Sequence, residues 1–355
     1  MSSVPARELL TSYLAESRKQ VLSHIEGLIP KSRHTGGLYE LILEYPLRGG
    51  KSIRPALCLA VCEALGGSRA DALPSAAALE LYHNAFLVHD DVEDGSLERR
   101  QEKTLHEKYG VPIAVNVGDA TLSLAMDPLL SNIETVGLGR ALRILETIQT
   151  MSKESAEGQM LELEWKYGGS YLPSPRDYVR MVYKKTCWYS FIAPVAIGAI
   201  AGGSSQSIQK RLKKFALFLG VSFQIVDDLL NLTAGDIEYG KEIDGDLWEG
   251  KYTLMLIQAL NRATESEANE ARVILRATRP ELHRDRTERL RTEKDVEFLK
   301  ELIKKYDGIE FAESVASRYA AEALKRFDYI SRSIPDSVHL QFIGDLVGYV
   351  LERRK

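Results

Sequence analysis

The sequence has little cysteine, with only three in 355 residues. A small, odd number of cysteines in a chain of this length argues against a disulfide framework. Cys58 and Cys62 lie four residues apart in a predicted helix, but no nearby Cys or His pair completes a zinc site, so core packing is the favoured interpretation. This cysteine usage is typical of a reducing compartment, and we expect a cytoplasmic protein.

Long apolar runs and blocks of like charge are also lacking. The most apolar stretch, residues 191–201, has eleven residues, whereas a membrane-spanning helix needs about 20. The N-terminus, MSSVPARELL, lacks the apolar segment of a signal peptide. The net charge is −4 and no charge run is long enough to be an interaction tail. We therefore expect no transmembrane segment and no nucleic-acid partner.

Apolar residues recur at three- and four-residue steps along most of the chain, which predicts helices. The predicted helices are 75–94 (opened by Pro74), 139–166, 175–200 (kinked at Pro194), 205–232, 251–262, 265–277, 293–306, 309–333 and 336–351. Alternating runs rich in Val, Ile and Thr are absent, so no sheet is expected. The breaks between helices are too short for a domain linker. The sequence predicts one all-α domain over residues 1–355.

Acidic residues are clustered at the ends of two apolar helices. The first cluster is Asp90, Asp91 and Asp94; the second is Asp227 and Asp228, 137 positions later (227 − 90). Like charges on one helical face repel, and the helix dipole disfavours anions at a C-terminus. Such oxygen ligands suit Mg²⁺ held together with substrate phosphates. One cluster alone is equally compatible with a solvated helix end, but two predict a shared cavity with several Mg²⁺ ions.

Basic residues flank both acidic clusters. They are Lys51 and Arg54 after a Gly-Gly pair, Arg99 and Arg100 after the first cluster, Lys184-Lys185-Thr186, Lys241 and Lys251. Each one taken singly is more typical of a solvated surface, but their placement around the acids favours a diphosphate-binding site. Arginine in particular suits bidentate phosphate contacts.

In their order along the chain these motifs resemble those of the trans-isoprenyl diphosphate synthases, also called polyprenyl synthetases. The matching segments are GGKSIRP (49–55), HNAFLVHDDVEDGSLERR (83–100), YGVPIAVNVGD (109–119), KKT (184–186), FQIVDDLLN (223–231) and GKEIDGDLWEGKYT (240–253). The resemblance implies an all-α fold around a deep cavity, usually a homodimer. It also implies a Mg²⁺-dependent prenyltransferase that joins isopentenyl diphosphate to an allylic diphosphate. The second acidic motif and EGK look like those of eukaryotic-type geranylgeranyl diphosphate synthases.

The resemblance assigns roles to individual residues. The metal ligands would be Asp90, Asp91, Asp94, Asp227 and Asp228. The diphosphate of isopentenyl diphosphate would be held by Lys51, Arg54, His83 and Arg100. The allylic diphosphate would meet Arg99, Lys251 and the catalytic residues Lys185, Thr186, Gln224 and Lys241. His83 taken by itself is more typical of a buried core histidine.

The sequence departs from the family pattern at several positions. Ser52 stands where many members have Arg, and Asn231 stands where many have Asp, which puts metal ligation by Asn231 in doubt. After Arg100 the chain reads QEK where many members have Gly-x-Pro, and we have no physical account of that change.

Product length is expected to depend on the residues before the first acidic motif. These positions hold Tyr82, Ala85 and Phe86. The two aromatic residues could equally well be core residues or close the end of the tunnel that holds the growing chain. We expect a C20 product, with longer chains or C15 as the alternatives.

Two other functions share parts of this pattern. A class I terpene cyclase shares the fold, but its Asn/Asp-Ser/Thr-Glu metal triad is absent, because Gly235 stands four residues after Asn231. A non-catalytic regulatory subunit typically loses its acidic motifs, and both are present here. The sequence therefore favours an active synthase over either alternative.

Overall fold

The computed structural model describes residues 6–30, 36–168, 171–233, 244–279 and 289–352. These residues are almost entirely helical, which confirms the all-α class. In chain order the elements are α1 (Ala6–Leu28), α2 (Leu38–Leu47), α3 (Ile53–Ala64), α4 (Arg69–Asp94), β1 (Glu98–Arg99), β2 (Glu102–Lys103), α5 (Leu105–Tyr109), α6 (Val111–Leu124), α7 (Met126–Val136), α8 (Leu138–Tyr167), α9 (Pro175–Val182), a π-helix (Tyr183–Ile192), α10 (Ala193–Ala201), α11 (Gln206–Thr233), α12 (Gly245–Glu249), α13 (Leu254–Arg262), α14 (Glu265–Leu275), α15 (Glu293–Lys305), α16 (Gly308–Ser331) and α17 (Val338–Glu352).

Helix α4, which carries the first acidic cluster, begins earlier than the sequence pattern predicts. Ser68 and Asp71 form a capping box, in which each side chain accepts a hydrogen bond from the other residue's backbone N–H. Pro74 therefore lies inside the helix instead of opening it. The helix ends at Gly95, whose left-handed conformation (φ 65°) costs glycine little.

The prediction of one kinked helix over residues 175–200 is wrong in its detail. Helix α9 passes into the ten-residue π-helix Tyr183–Ile192, and α10 starts just before Pro194. A π-helix is rare and occurs most often at functional sites. Here it directs Lys185 and Thr186 toward the interior of the protein, whereas Lys184 pairs with Glu154 and Glu157 of α8.

The expectation of no sheet is also corrected, because β1 and β2 form a small antiparallel ribbon. Its turn places Arg100 and Gln101 at positive φ (55° and 64°). Strands of two residues are too short to produce an alternating sequence pattern.

The helices bury two large apolar clusters. One joins α11, α13, α15 and α16, and the other joins α2, α4, α6, α7 and α8. Helix α3 contributes to both, since Leu57 faces one cluster and Leu59 the other. By length and composition alone, helix α11 could cross a membrane. However, 61% of its apolar window is buried within the protein, as expected for a core helix.

Candidate active site

A cavity of about 550 Å³ brings the two acidic clusters together. Asp90 from α4 and Asp227 and Asp228 from α11 line it. So do most of the predicted basic and polar residues, namely Lys51, Arg54, His83, Arg99, Arg100, Lys185, Thr186, Gln224 and Lys251. Residues from distant parts of the sequence thus surround one polar space. Lys241 lies outside the described residues.

The first acidic cluster is surrounded by lysines. The Lys185 ammonium lies 3.0 Å from an oxygen of Asp90 and also contacts Glu162. Lys251 lies 2.7 Å from the carboxylate of Asp94. Burial raises the pKa of Asp90, but Lys185, Lys251 and Arg99 lower it more, so the net shift is downward and the carboxylate stays ionised.

Glu162 on α8 is a functional candidate that the sequence analysis missed. Its carboxylate and those of Asp90 and Asp94 have oxygen atoms within 4.8 Å of one another. An all-oxygen donor set of this kind fits a hard cation such as Mg²⁺. The sequence signal that could have identified Glu162 is Gly158, four residues before it in the same helix. At Gly158, which has no side chain, α8 lies against the π-helix.

Asp91 is placed differently from its two neighbours. It is fully buried, and its carboxylate accepts hydrogen bonds from Arg99 Nε (2.8 and 2.9 Å) and from the Tyr45 hydroxyl (2.6 Å). The burial of Arg99 lowers its pKa, but the pairing with Asp91 raises it more, so the guanidinium stays charged. These contacts favour an anchoring role for Asp91.

Asp228 of the second acidic cluster accepts hydrogen bonds from neutral donors. Asp228 accepts hydrogen bonds from the Tyr178 hydroxyl (2.6 Å) and from the Gln224 amide (2.7 Å). Gln224 in turn accepts one from Thr186 of the π-helix at 2.9 Å. Burial, reinforced by Asp227, raises the pKa of Asp228 to about 6 despite these hydrogen bonds. A divalent cation would therefore stabilise its charged form.

Asn231 contacts the start of α12. Its side-chain oxygen accepts a hydrogen bond from the backbone N–H of Asp246 at 2.9 Å, and its carbonyl accepts one from Asp244 at 3.0 Å. An amide can hold the start of α12 without adding a further negative charge to the cluster.

The predicted isopentenyl diphosphate pocket contains converging cations. Arg54 donates to Ser190 (2.8 Å), meets the His83 ring nitrogen (3.2 Å) and lies 4.7 Å above the Tyr189 ring. Arg100 donates to the Tyr45 carbonyl at 2.8 Å. Its guanidinium lies over Gly50, where an added Cβ would be only 2.8 Å from Nη2. Gly50, the second residue of the Gly-Gly pair, therefore leaves room for Arg100, and its positive φ (122°) also favours glycine.

The predicted chain-length residues lie behind the cavity lining. Tyr82 is buried, and its hydroxyl is 3.9 Å from the sulfur of Met126. Phe86 packs edge-on against both Tyr82 and Tyr189, with ring centroids 6.0 and 5.6 Å apart. Ala85 is fully buried. Tyr189, which the sequence analysis did not single out, is the aromatic residue of this group that lines the cavity.

The segment 248–251 places two charged side chains, Glu249 and Lys251, in the cavity wall. Glu249 accepts hydrogen bonds from Ser96 (2.8 Å) and pairs with Lys251 (2.6 Å). The buried Arg291 donates to the Trp248 carbonyl and to the Leu275 carbonyl (2.9 Å), so it fixes this segment in place. Burial raises the pKa of Glu249, but Lys251 lowers it more.

Comparisons with known proteins agree with this geometry. Residues 37–291 match the family model described as polyprenyl synthetase. A geranylgeranyl pyrophosphate synthase of Geoglobus acetivorans is 31% identical over 97% of this chain and 99% of its own length. The crystal structure of geranylgeranyl pyrophosphate synthetase from Pyrococcus horikoshii has a TM-score of 0.83 at 30% identity and covers 98% of both chains. A Corynebacterium glutamicum geranylgeranyl pyrophosphate synthase, complexed with isoprenyl diphosphate and magnesium, has a TM-score of 0.80 at 25% identity over 97% of this chain and 99% of that one. Because its motifs, its all-helical fold and these similarities agree, the chain belongs to the polyprenyl synthetase family.

Proposed function

We propose that the protein condenses isopentenyl diphosphate head-to-tail with allylic diphosphates in a Mg²⁺-dependent reaction and that its main product is geranylgeranyl diphosphate. The observation that carries this proposal is the shared cavity. Asp90, Asp227 and Asp228 line it together with Lys185 and Arg54, although they come from four separate helices. The proposed metal-binding carboxylates and the proposed diphosphate-binding cations therefore lie around one space.

The proposed metal ligands are Asp90, Asp94 and Glu162 on one side and Asp227 and Asp228 on the other. Mg²⁺ bound there would neutralise the charge that develops on the departing diphosphate. Asp91 is proposed to hold Arg99 against the site instead of binding metal, since Arg99 and Tyr45 already occupy its carboxylate.

Fixed positive charge near the leaving diphosphate is the proposed catalytic contribution of the protein itself. Lys185 and Lys251 keep their protons, because the nearby carboxylates raise the pKa of each ammonium more than burial lowers it. Thr186 and Gln224 orient Asp228 through their hydrogen-bond chain. Lys241 is proposed to act beside them. Such preorganised charge is often the largest catalytic contribution.

The second substrate would be held by its diphosphate at Lys51, Arg54, His83 and Arg100. Its double bond would then attack the allylic carbon as the C1–O bond breaks. The released diphosphate is the proposed base for the final proton, so no enzyme nucleophile is needed.

The test is an incubation of purified protein with Mg²⁺, isopentenyl diphosphate and each of the C5, C10 and C15 allylic diphosphates, with products identified by mass. We expect a C20 diphosphate. Asp90→Ala and Asp227→Ala should each remove most turnover while far-UV circular dichroism stays helical. Asp328→Asn, on the exposed face of α16, is the control and should retain activity.

Other outcomes of this assay identify the alternatives. No product from any starter, with folded protein and Mg²⁺ present, would indicate a regulatory subunit. A hydrocarbon or alcohol formed from an allylic diphosphate alone would indicate a terpene cyclase.

Product length is proposed to be set by the aromatic rings of Tyr189, Phe86 and Tyr82, which pack edge-to-face. Because Tyr189 lines the cavity and the other two lie behind it, the growing chain would meet them in that order. Phe86→Ala and Tyr82→Ala should therefore shift the product beyond C20. Unchanged C20 from both variants would place the floor on another helix.

A homodimer is part of the proposal. Large apolar side chains are exposed on α6, α7 and the start of α8, including Ile113, Leu130, Ile133, Leu138 and Leu142. Exposed apolar surface of this extent is typical of a protein–protein interface. Sedimentation should show a dimer that Leu130→Asp with Ile133→Asp dissociates; a wild-type monomer would refute this part.

Two further expectations belong to the same proposal. Residues 1–355 would form one folding unit, since α3 joins both apolar clusters. A cytoplasmic location is supported by Cys58, Cys62 and Cys187, which are free and buried.

A further inference from the structure

Tyr45 on α2 is a fully buried tyrosine that lies outside the sequence motifs and does not line the cavity. Its hydroxyl donates a hydrogen bond to Asp91 Oδ2 at 2.6 Å and accepts one from the backbone N–H of Leu105 at 3.2 Å. Its backbone carbonyl accepts a hydrogen bond from Arg100 at 2.8 Å. This one residue therefore contacts α4, the β1–β2 ribbon and the start of α5, although the proposed reaction gives it no role.

The Tyr45 hydroxyl supports the ion pair of Asp91 and Arg99. Arg99 Nε donates to both carboxylate oxygens of Asp91, at 2.8 and 2.9 Å, and the Tyr45 hydroxyl shares one of these oxygens. Asp91 is fully buried, whereas Arg99 lines the cavity. Because a buried carboxylate is costly unless its oxygens are hydrogen-bonded, the hydroxyl stabilises Asp91 and, through it, the position of the Arg99 guanidinium.

The ribbon that carries Arg99 and Arg100 is too short to hold itself in place. Its strands have two residues each, and its turn residues Arg100 and Gln101 have positive φ values that are unfavourable for residues with a Cβ. The last turn of α2 supplies the missing support. Arg100 binds a carbonyl at this helix end, where carbonyls lack partners and cations are favoured. Arg48 lies 4.6 Å over the Tyr45 ring and places Nη1 3.5 Å from the Arg99 carbonyl.

Given the proposed function, we propose that Tyr45 is a positioning residue for the allylic diphosphate, whose hydroxyl holds the guanidinium of Arg99, through Asp91, in the orientation that receives the phosphate oxygens. Tyr45 acts through its neighbours, since it does not line the cavity itself. A cation that is fixed before binding loses less conformational entropy when the substrate arrives. The carbonyl of Tyr45 holds Arg100 on the side of isopentenyl diphosphate, so removal of the hydroxyl alone separates the two substrates.

The experiment uses Tyr45→Phe, which removes the hydroxyl and keeps the ring and the backbone carbonyl. KM is measured separately for the allylic diphosphate and for isopentenyl diphosphate. We expect the allylic KM to rise by about fivefold, the effect of one net hydrogen bond. The KM for isopentenyl diphosphate should stay within about twofold of wild type, because Arg100 keeps its acceptor. The kcat should also stay within about twofold, because the lost interaction acts on the bound substrate and the transition state alike.

Tyr13→Phe is the matched control. Tyr13 is another buried tyrosine whose hydroxyl donates to a carboxylate, that of Glu63 at 2.9 Å, and it does not line the cavity. Both variants should lower the urea midpoint, but Tyr13→Phe should keep both wild-type KM values. An unchanged allylic KM in Tyr45→Phe, or equal increases in its two KM values, would overturn the proposal, because the hydroxyl would then contribute only to general stability.

A double variant tests whether the hydroxyl acts through Arg99. Arg99→Lys removes the Nε–H group that Asp91 holds, so adding Tyr45→Phe to it should raise the allylic KM by less than about twofold further. A further rise of about fivefold would refute the route through Arg99. If Tyr45→Phe does not fold, Tyr45→His replaces it: an allylic KM raised more than the isopentenyl diphosphate KM supports the role, and equal changes refute it. Wild-type protein that elongates no starter would instead sink the proposed function.

Discussion

Gly158 is the point at which α8 touches the π-helix that carries Lys185. A Cβ added at Gly158 would lie 2.1 Å from the backbone nitrogen of Lys185 and 2.6 Å from its Cα. Ordinary contact begins at 3.4 Å, so in Gly158→Ala the two helices must separate by about 1.3 Å (3.4 − 2.1). That shift would move the Lys185 ammonium away from Asp90 and Glu162.

Both the stability and the activity of Gly158→Ala follow from this displacement. Overpacking costs about 1–3 kcal/mol, and a backbone clash this close belongs at the upper end. Replacing Gly by Ala inside a helix by itself raises the free energy of unfolding by about 1 kcal/mol. We therefore expect a net loss of about 1–2 kcal/mol in the free energy of unfolding. A misplacement of about 1 Å in an active site costs about 10²-fold in rate.

The assays for Gly158→Ala are urea unfolding followed by circular dichroism and elongation kinetics at saturating substrates. Gly139→Ala, on the exposed start of α8 with nothing within 4 Å of the added Cβ, is the control: it should keep the wild-type kcat and should not lower the free energy of unfolding. Wild-type kcat in Gly158→Ala would show that the spacing of α8 and the π-helix does not control Lys185, and would refute the reasoning.

Four further substitutions separate stability from chemistry. Asp91→Asn should lower the free energy of unfolding by about 3 kcal/mol or more, because it breaks a buried ion pair with Arg99. Asp90→Asn should instead reduce turnover with a smaller loss of stability. Urea midpoints and kcat check both variants. Gly250→Ala combines a positive φ of 78° with a Cβ only 2.7 Å from Arg291 Nη2. We expect it to lower the free energy of unfolding in urea by about 2 kcal/mol. An unchanged free energy of unfolding would refute the role of Arg291 in fixing residues 248–251. Lys185→Met should lower kcat by about 10²-fold or more while the isopentenyl diphosphate KM is kept; an unchanged kcat would remove Lys185 from the charge-stabilising group.

The sequence by itself was sufficient for the helical class and for the family. Apolar periodicity and breaker residues act over a few positions, so α8, α11, α15 and α16 were located to within one or two residues. The ordered motifs also identified Asp90 and Asp227 as the acids that share a cavity.

Only the tertiary structure distinguished the neighbouring acids from one another. Asp91 is paired with Tyr45, 46 residues away in sequence, so its anchoring contacts depend on how α2 packs against α4. Glu162 joins Asp90 and Asp94 because Gly158 lets α8 approach the π-helix. The sequence determined which residues are charged; the packing of distant helices decided which of those charges are buried, which are paired and which face the cavity. Burial and pairing set the energy of a charge, and neither is encoded in a local pattern.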